Sequence, residues 1–99
     1  MASLKNNKLV FANGSNPFVI YPIQNTSPDC NAWIDPGIYF STSGNVANAP
    51  VNDAIQILVL PTDTMQGWCK QILFVLDSTD IYTRNRRNAS AWTNWTKIH

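Results

Sequence analysis

Apolar and polar residues alternate most regularly in the second half of the chain. In Ala54-Ile-Gln-Ile-Leu-Val-Leu60, residues Ile55, Ile57 and Val59 fall on one face and Gln56, Leu58 and Leu60 on the other, so a strand here is apolar on nearly both sides. Such a strand is either central in its sheet or an edge strand covered by a neighbouring subunit. Pro61 to Gly67 is turn-rich, and Trp68 to Leu76 resumes the alternation, with Leu73 and Val75 set against Ile72, Phe74 and Leu76. Asp77-Ser-Thr-Asp80 supplies the next turn, since Asp and Ser side chains hydrogen-bond nearby backbone amides and tolerate tight bends. The stretch from Ile81 to Ile98 then reads as a β-hairpin. Ile81-Tyr-Thr-Arg84 and Trp92-Thr-Asn-Trp95-Thr-Lys-Ile98 are rich in β-branched and aromatic residues, and the polar Asn85 to Ala91 lies between them. The pattern predicts an antiparallel meander of strands 55–60, 69–76, 81–86 and 92–98.

Upstream the pattern is more broken. Met1 to Asn7 is polar and reads as a frayed end or a joint. Lys8 to Ala12, the Asn13-Gly14 turn dipeptide and Phe18 to Tyr21 form a candidate hairpin with a loop of Asn13 to Pro17. Pro22, Pro28 and the polar Gln24 to Ser27 interrupt it, which places a boundary near Pro28. Residues 1–28 are then an N-terminal arm or attachment segment, and 29–99 the main domain. Asp29 can cap a single helical turn that Pro36-Gly37 ends. Ile38-Tyr-Phe40 is a strand, and Ser41 to Ala49 is a loop punctuated by Gly44-Asn45.

Composition agrees with a mainly β fold. The acidic residues are all Asp, and Asn, Thr, Ser, Val and Ile outweigh the good helix formers. A chain of 99 residues forms one domain with a high surface-to-volume ratio, for which oligomerisation is a source of stability. Charged residues make up 13% and the net charge is +1, so no general field exists that would hold a nucleic-acid backbone. Arg84, Arg86 and Arg87 are the one basic cluster. No apolar run reaches the ~20 residues of a membrane span, and Met1 to Ser15 lacks the apolar stretch of a signal peptide. Asn-x-Ser/Thr triplets at Asn13, Asn25, Asn88 and Asn94 are expected by chance in such a sequence.

Candidate chemistry is sparse. Cys30 and Cys69 have neither a metal spacing nor a CxxC motif, and two buried free thiols are favoured over one bridge. Asp77 and Asp80 as a glycosidase pair have no supporting cluster, so turn capping is the better reading. His99 is the lone histidine and ends the sequence, which leaves a nucleophilic triad dependent on a frayed residue. Gly14, Gly37, Gly44 and Gly67 are isolated in turns and make no phosphate loop. Catalytic residues, cofactors and metal ligands are therefore not expected.

Aromatic and basic residues remain. Trp92 and Trp95 are three apart, so in a regular strand they point to opposite faces, one into the core and one outward. An exposed indole is a platform for the apolar face of a sugar. Tyr82, Arg84 and Arg86 share one strand face, and an Arg guanidinium lying over Trp92 or Trp95 is expected. Structural stacking is its favoured role, with binding of an anionic glycan the sharper alternative. Tyr82, Arg84, Arg86, Trp92 and Trp95 form the candidate glycan or receptor contact.

Several short motifs also follow one another in order: Asp29-Cys-Asn-Ala-Trp-Ile-Asp-Pro-Gly-Ile-Tyr39, Asn45-Val-Ala-Asn-Ala-Pro50, Gln71-Ile-Leu-Phe74, Ile81-Tyr-Thr-Arg84 and Trp92-Thr-Asn-Trp95-Thr-Lys-Ile98. Together they resemble the pyocin-knob-type domain of bacteriophage tail fibres and phage-derived bacteriocins, over about residues 29–98. Cys30 and Trp33 depart from that pattern. The resemblance implies a small β-meander or sandwich with a short helical turn, trimeric, in a virion fibre that attaches to the bacterial host surface by a receptor or glycan. The implied partners are two further copies of the chain, other virion proteins through the N-terminal segment, and a host-surface glycan or protein, with no nucleic acid and no membrane insertion. A structural trimerising spacer or head-decoration fibre without receptor contact is the alternative.

Overall fold

Strand order in the sheet follows strand order in the chain. The computed structural model describes residues 2–5, 8–11, 18–20, 28–60, 68–88 and 90–99, with side chains from Val19 onward. Its eight strands are β1 (Ala2–Lys5), β2 (Lys8–Phe11), β3 (Phe18–Ile20), β4 (Gly37–Ser41), β5 (Ile55–Val59), β6 (Cys69–Val75), β7 (Ile81–Arg86) and β8 (Thr96–Lys97). They form one sheet in the order β1 to β8. The fold is mainly β, as the alternation predicts, and its regular helix among the described residues is a single 3₁₀ turn, Cys30–Ala32.

Each neighbouring pair is antiparallel except β3 and β4, which run parallel with Val19 opposite Gly37. This departs from a purely antiparallel meander. Parallel neighbours need a crossover of about a dozen residues or more, and the Pro-interrupted interval 21–36 supplies one. The N-terminal region also differs from expectation, since Ala2–Lys5 is a strand paired with β2 and not a frayed end. The expected pairing of the Lys8 and Phe18 runs is present as β2 against β3, whereas the Asn13-Gly14 turn and Pro61 to Gly67 lie outside the described residues.

The inner face of the sheet follows from its register. Gly37, Val59, Gln71 and Arg84 stand in one row, and Tyr39, Ile57, Leu73 and Tyr82 in the next. Ile55, Ile57, Val59 and Leu73 are fully buried there, each contributing roughly 1.5–3 kcal/mol from removal of apolar surface. Cys30, Trp33 and Val46, from the segment between β3 and β5, complete the core. Trp33 stacks on Tyr39 with ring centroids 5.1 Å apart and planes 9° from parallel. The Tyr39 hydroxyl donates to the Asp35 carbonyl at 2.8 Å, so the ring's polar end is satisfied where it is buried.

The outer face carries its own apolar rows. Ile38, Leu58, Ile72 and Thr83 align across β4 to β7, followed by Phe40, Gln56, Phe74 and Ile81. These side chains are half-buried, and Leu60 and Leu76 at the ends of their strands are exposed. The sequence-predicted double apolarity of β5 and β6 is thus seen in two central strands.

Two predicted turns are refined. Asp29 caps the 3₁₀ turn by accepting from the Asn31 N–H at 2.9 Å, and the turn ends at Trp33, before Pro36-Gly37. After β6, the Ser78 hydroxyl accepts the Asp80 N–H at 3.1 Å, so Ser78 braces the bend, while the Asp80 carboxylate pairs with exposed Lys97 at 3.4 Å. His99 is held rather than frayed: its carbonyl accepts from Ile81 N–H, and its ring Nδ1 lies 2.8 Å from the Thr79 carbonyl.

Candidate functional site

Arg84 enters the core face from the middle of β7. Its neighbours at Tyr82 and Arg86 point the same way by strand alternation, as the sequence predicts, and that face is the inner one. Arg84 retains only 5% exposure. A charge taken out of water at this depth needs hydrogen-bonded partners. Nε donates to Oε1 of Gln71 at 2.8 Å, and Nη2 donates to Sγ of Cys30 at 3.3 Å.

Two indoles complete the surroundings. The guanidinium carbon lies 4.2 Å from the Trp92 ring centroid and 4.4 Å from that of Trp95, over both rings. Both distances are within cation–π range, so the one guanidinium is in contact with two indoles. The expectation that the two tryptophans diverge is therefore overturned. Residues 93–95 are not strand, β8 shrinks to Thr96–Lys97, and Trp92 makes only an isolated bridge with Arg86. Freed from the strand period, both half-buried rings turn to the same cation.

The rings are anchored as well as stacked. Trp92 Nε1 donates to the Asn31 carbonyl at 3.4 Å, and Trp95 Nε1 to the Asn48 carbonyl at 2.8 Å. Asn48, in the left-handed region at φ 65°, also donates from Nδ2 to Asp29 Oδ1 at 2.9 Å. Asn tolerates that backbone better than most residues. Thr93 locks the segment to β7, its hydroxyl accepting the Asn85 N–H at 2.9 Å and its N–H donating to the Asn85 carbonyl at 2.8 Å.

Beneath Arg84, Gln71 is completely buried and fully employed. Its Nε2 donates to the carbonyls of Cys30 and Trp33, both at 2.8 Å, which ties the 3₁₀ turn to the sheet. Cys30 and Cys69 are free thiols, and burial pushes each up to about 11, against a smaller downward pull from Arg84 on Cys30 and Arg86 on Cys69. Burial likewise lowers the Arg84 pKa from its ordinary value.

A surface depression of about 440 Å³ opens over this cluster, lined by Asn31, Asn48, Arg84, Trp92, Asn94 and Trp95 among others. Of the sequence-predicted contact residues it gathers Arg84, Trp92 and Trp95. Tyr82 is half-buried against the core instead, and Arg86 is half-buried beside Cys69 with a buried Nε that has no hydrogen-bond partner among the described residues. Sequence reasoning missed Gln71, Asn31, Asn48 and Asn94. Gln71 carried a signal, an amide in phase with Cys69, Leu73 and Val75 on an otherwise apolar strand face. The asparagines carried none, since they meet only through loop geometry.

Among the described residues no group of His, Cys, Asp or Glu is placed to hold a metal ion, and no helix is long and apolar enough to cross a membrane. Comparison with known proteins gives no matching family model, no matching curated protein and no matching solved structure.

Proposed function

We propose that this chain is a fibre domain of a bacteriophage virion that attaches the particle to its bacterial host by binding a surface glycan or protein, without catalysis. The observation that carries the reading is the make-up of the depression over Arg84. Indole rings offer apolar surface to the C–H face of a sugar, and the carboxamides of Asn31, Asn48 and Asn94 offer donors and acceptors to its hydroxyls. The ordered motifs from Asp29 to Ile98 give the phage-fibre setting by resemblance. Two apolar faces on so small a sheet fit a homotrimer, with one face packed within the subunit and the other against a symmetry mate.

Adsorption of the protein to host cells tests the attachment reading. Trp95→Ala and Asn94→Ala, both in the lining of the depression, each reduce adsorption while retaining the assembly state, and unchanged adsorption by correctly folded assemblies of both variants overturns it. Light scattering tests the assembly, with a mass about three times the 11.1 kDa chain expected. A monomer removes the support for the fibre setting.

A second reading, a trimerising spacer or head-decoration fibre with no receptor contact, is favoured by the internal hydrogen bonds of both indole N–H groups, which suit a clamp as well as a platform. Labelled protein that binds particles and never bare cells would select it.

A further inference from the structure

Among the described residues Arg84 forms no salt bridge. The ion pair among the described residues joins Lys97 of β8 to Asp80 at the end of the β6–β7 turn and does not involve Arg84. Asp29, the acid nearest in influence, directs Oδ1 to the Asn31 N–H and to Asn48 Nδ2 and makes no salt bridge with Arg84. The partners Arg84 does have are a neutral amide oxygen, a thiol and two indole rings. The thiol offers no counter-charge at neutral pH, because its proton is held to about pH 11. Of the five guanidinium N–H groups, one on Nε and one on Nη2 are spent on described partners.

A nearly buried cation with unspent donors, set in the wall of an open depression, is complementary to an anion that brings its own desolvated acceptor oxygens. The remaining lining decides which anion. Two indoles and the exposed carboxamides of Asn31 and Asn94, which make no side-chain hydrogen bond to a described residue, suit a ring with an apolar face and a hydroxyl rim. We propose that the depression over Arg84 binds an acidic sugar, with the sugar's carboxylate pairing with the Arg84 guanidinium and its ring seated against Trp92 or Trp95. This rests on the attachment reading and gives its ligand class.

The test compares the intact protein's affinity for a uronic-acid oligosaccharide with that for the same oligosaccharide after its carboxyl groups are reduced to alcohols, by calorimetry. The acidic form is expected to bind at least about tenfold more tightly, since its carboxylate brings charged acceptors to the unspent guanidinium donors. Equal affinity for the two forms overturns the carboxylate inference and leaves the attachment reading standing. Binding of neither form overturns the inference and removes the sugar platform on which that reading leans. Arg84→Gln, which keeps an amide opposite Gln71 and loses the charge, is expected to bind both forms equally. Retained preference for the acidic form in that variant overturns the role of Arg84. Should Arg84→Gln fail to fold, the wild-type comparison alone decides.

Discussion

Arg84 Nε and Gln71 Oε1 sit 2.8 Å apart in directly opposed positions of β7 and β6, both side chains out of solvent. The bond is charge-assisted, and each partner has further obligations: Gln71 to the Cys30 and Trp33 carbonyls, Arg84 to Trp92 and Trp95. The pair joins three separate stretches of chain.

Removing one partner should therefore cost more than the bond itself. Gln71→Leu keeps the volume, strands the Arg84 Nε–H and deprives the Trp33 carbonyl of its donor, and a loss of about 2–4 kcal/mol is expected from urea unfolding. Arg84→Met combined with Gln71→Leu should lose less than the two single variants summed, by about 1–3 kcal/mol. Strict additivity would mean that the two side chains do not act as one unit.

The thiols predict a dependence on alkaline pH. Each holds its proton more tightly when folded, with a pKa of about 11 against an ordinary 9.0, because burial disfavours the thiolate. Below pH 9 both states carry the proton and the full stabilisation is present. Between about pH 9 and 11 the unfolded chain releases protons that the native one keeps, so stability falls with rising pH, by at most about 1.4 kcal/mol per unit for each thiol. Denaturation midpoints between pH 7 and 11 should show this slope, and Cys69→Ala should make it shallower whatever its own stability. Alkylation of either thiol at neutral pH should proceed only as fast as the protein opens.

The loop before β5 offers a contrast between neighbouring residues. Gly44 has φ +73°, and a Cβ there would meet the Asn52 carbonyl oxygen at 3.2 Å and Oδ1 at 3.3 Å. Gly44→Ala should lose about 1–2 kcal/mol in thermal or urea unfolding. Asn45, at φ 59°, holds Asn52 Oδ1 through its backbone N–H, which glycine retains. Asn45→Gly should stay within about 0.5 kcal/mol of the parent.

Much of the sheet was legible because alternation is a local property. The positions of β4 to β7, the Asp29-capped turn and the pairing of β2 with β3 all follow from residues within a few places of one another. The direction of β3 against β4 was not, since it is set by the path of the long interval between them. The site was half legible. Arg84 and its attraction to an indole follow from residue type and strand face, but the convergence of both tryptophans depends on Thr93 and Asn85 exchanging hydrogen bonds that replace a regular strand. Gln71 was visible only as a polar residue out of keeping with its face.

That strand order copies chain order has a kinetic consequence. Each pair of adjacent strands is joined by the chain directly between them, so the sheet can grow outward from β5, β6 and β7 with modest loop closures. The links from Arg84 to Cys30 and from Trp92 to Asn31 bridge 54 and 61 positions, and the expectation is that they close after the sheet has formed. Stability lost in Trp95→Phe should then appear almost wholly as faster unfolding, with the refolding arm of the chevron unmoved. A slowed refolding arm would instead put the clasp in the nucleus. On the expected order, the clasp around Arg84, the proposed recognition site, is the last part of the molecule to assemble and the first to come apart.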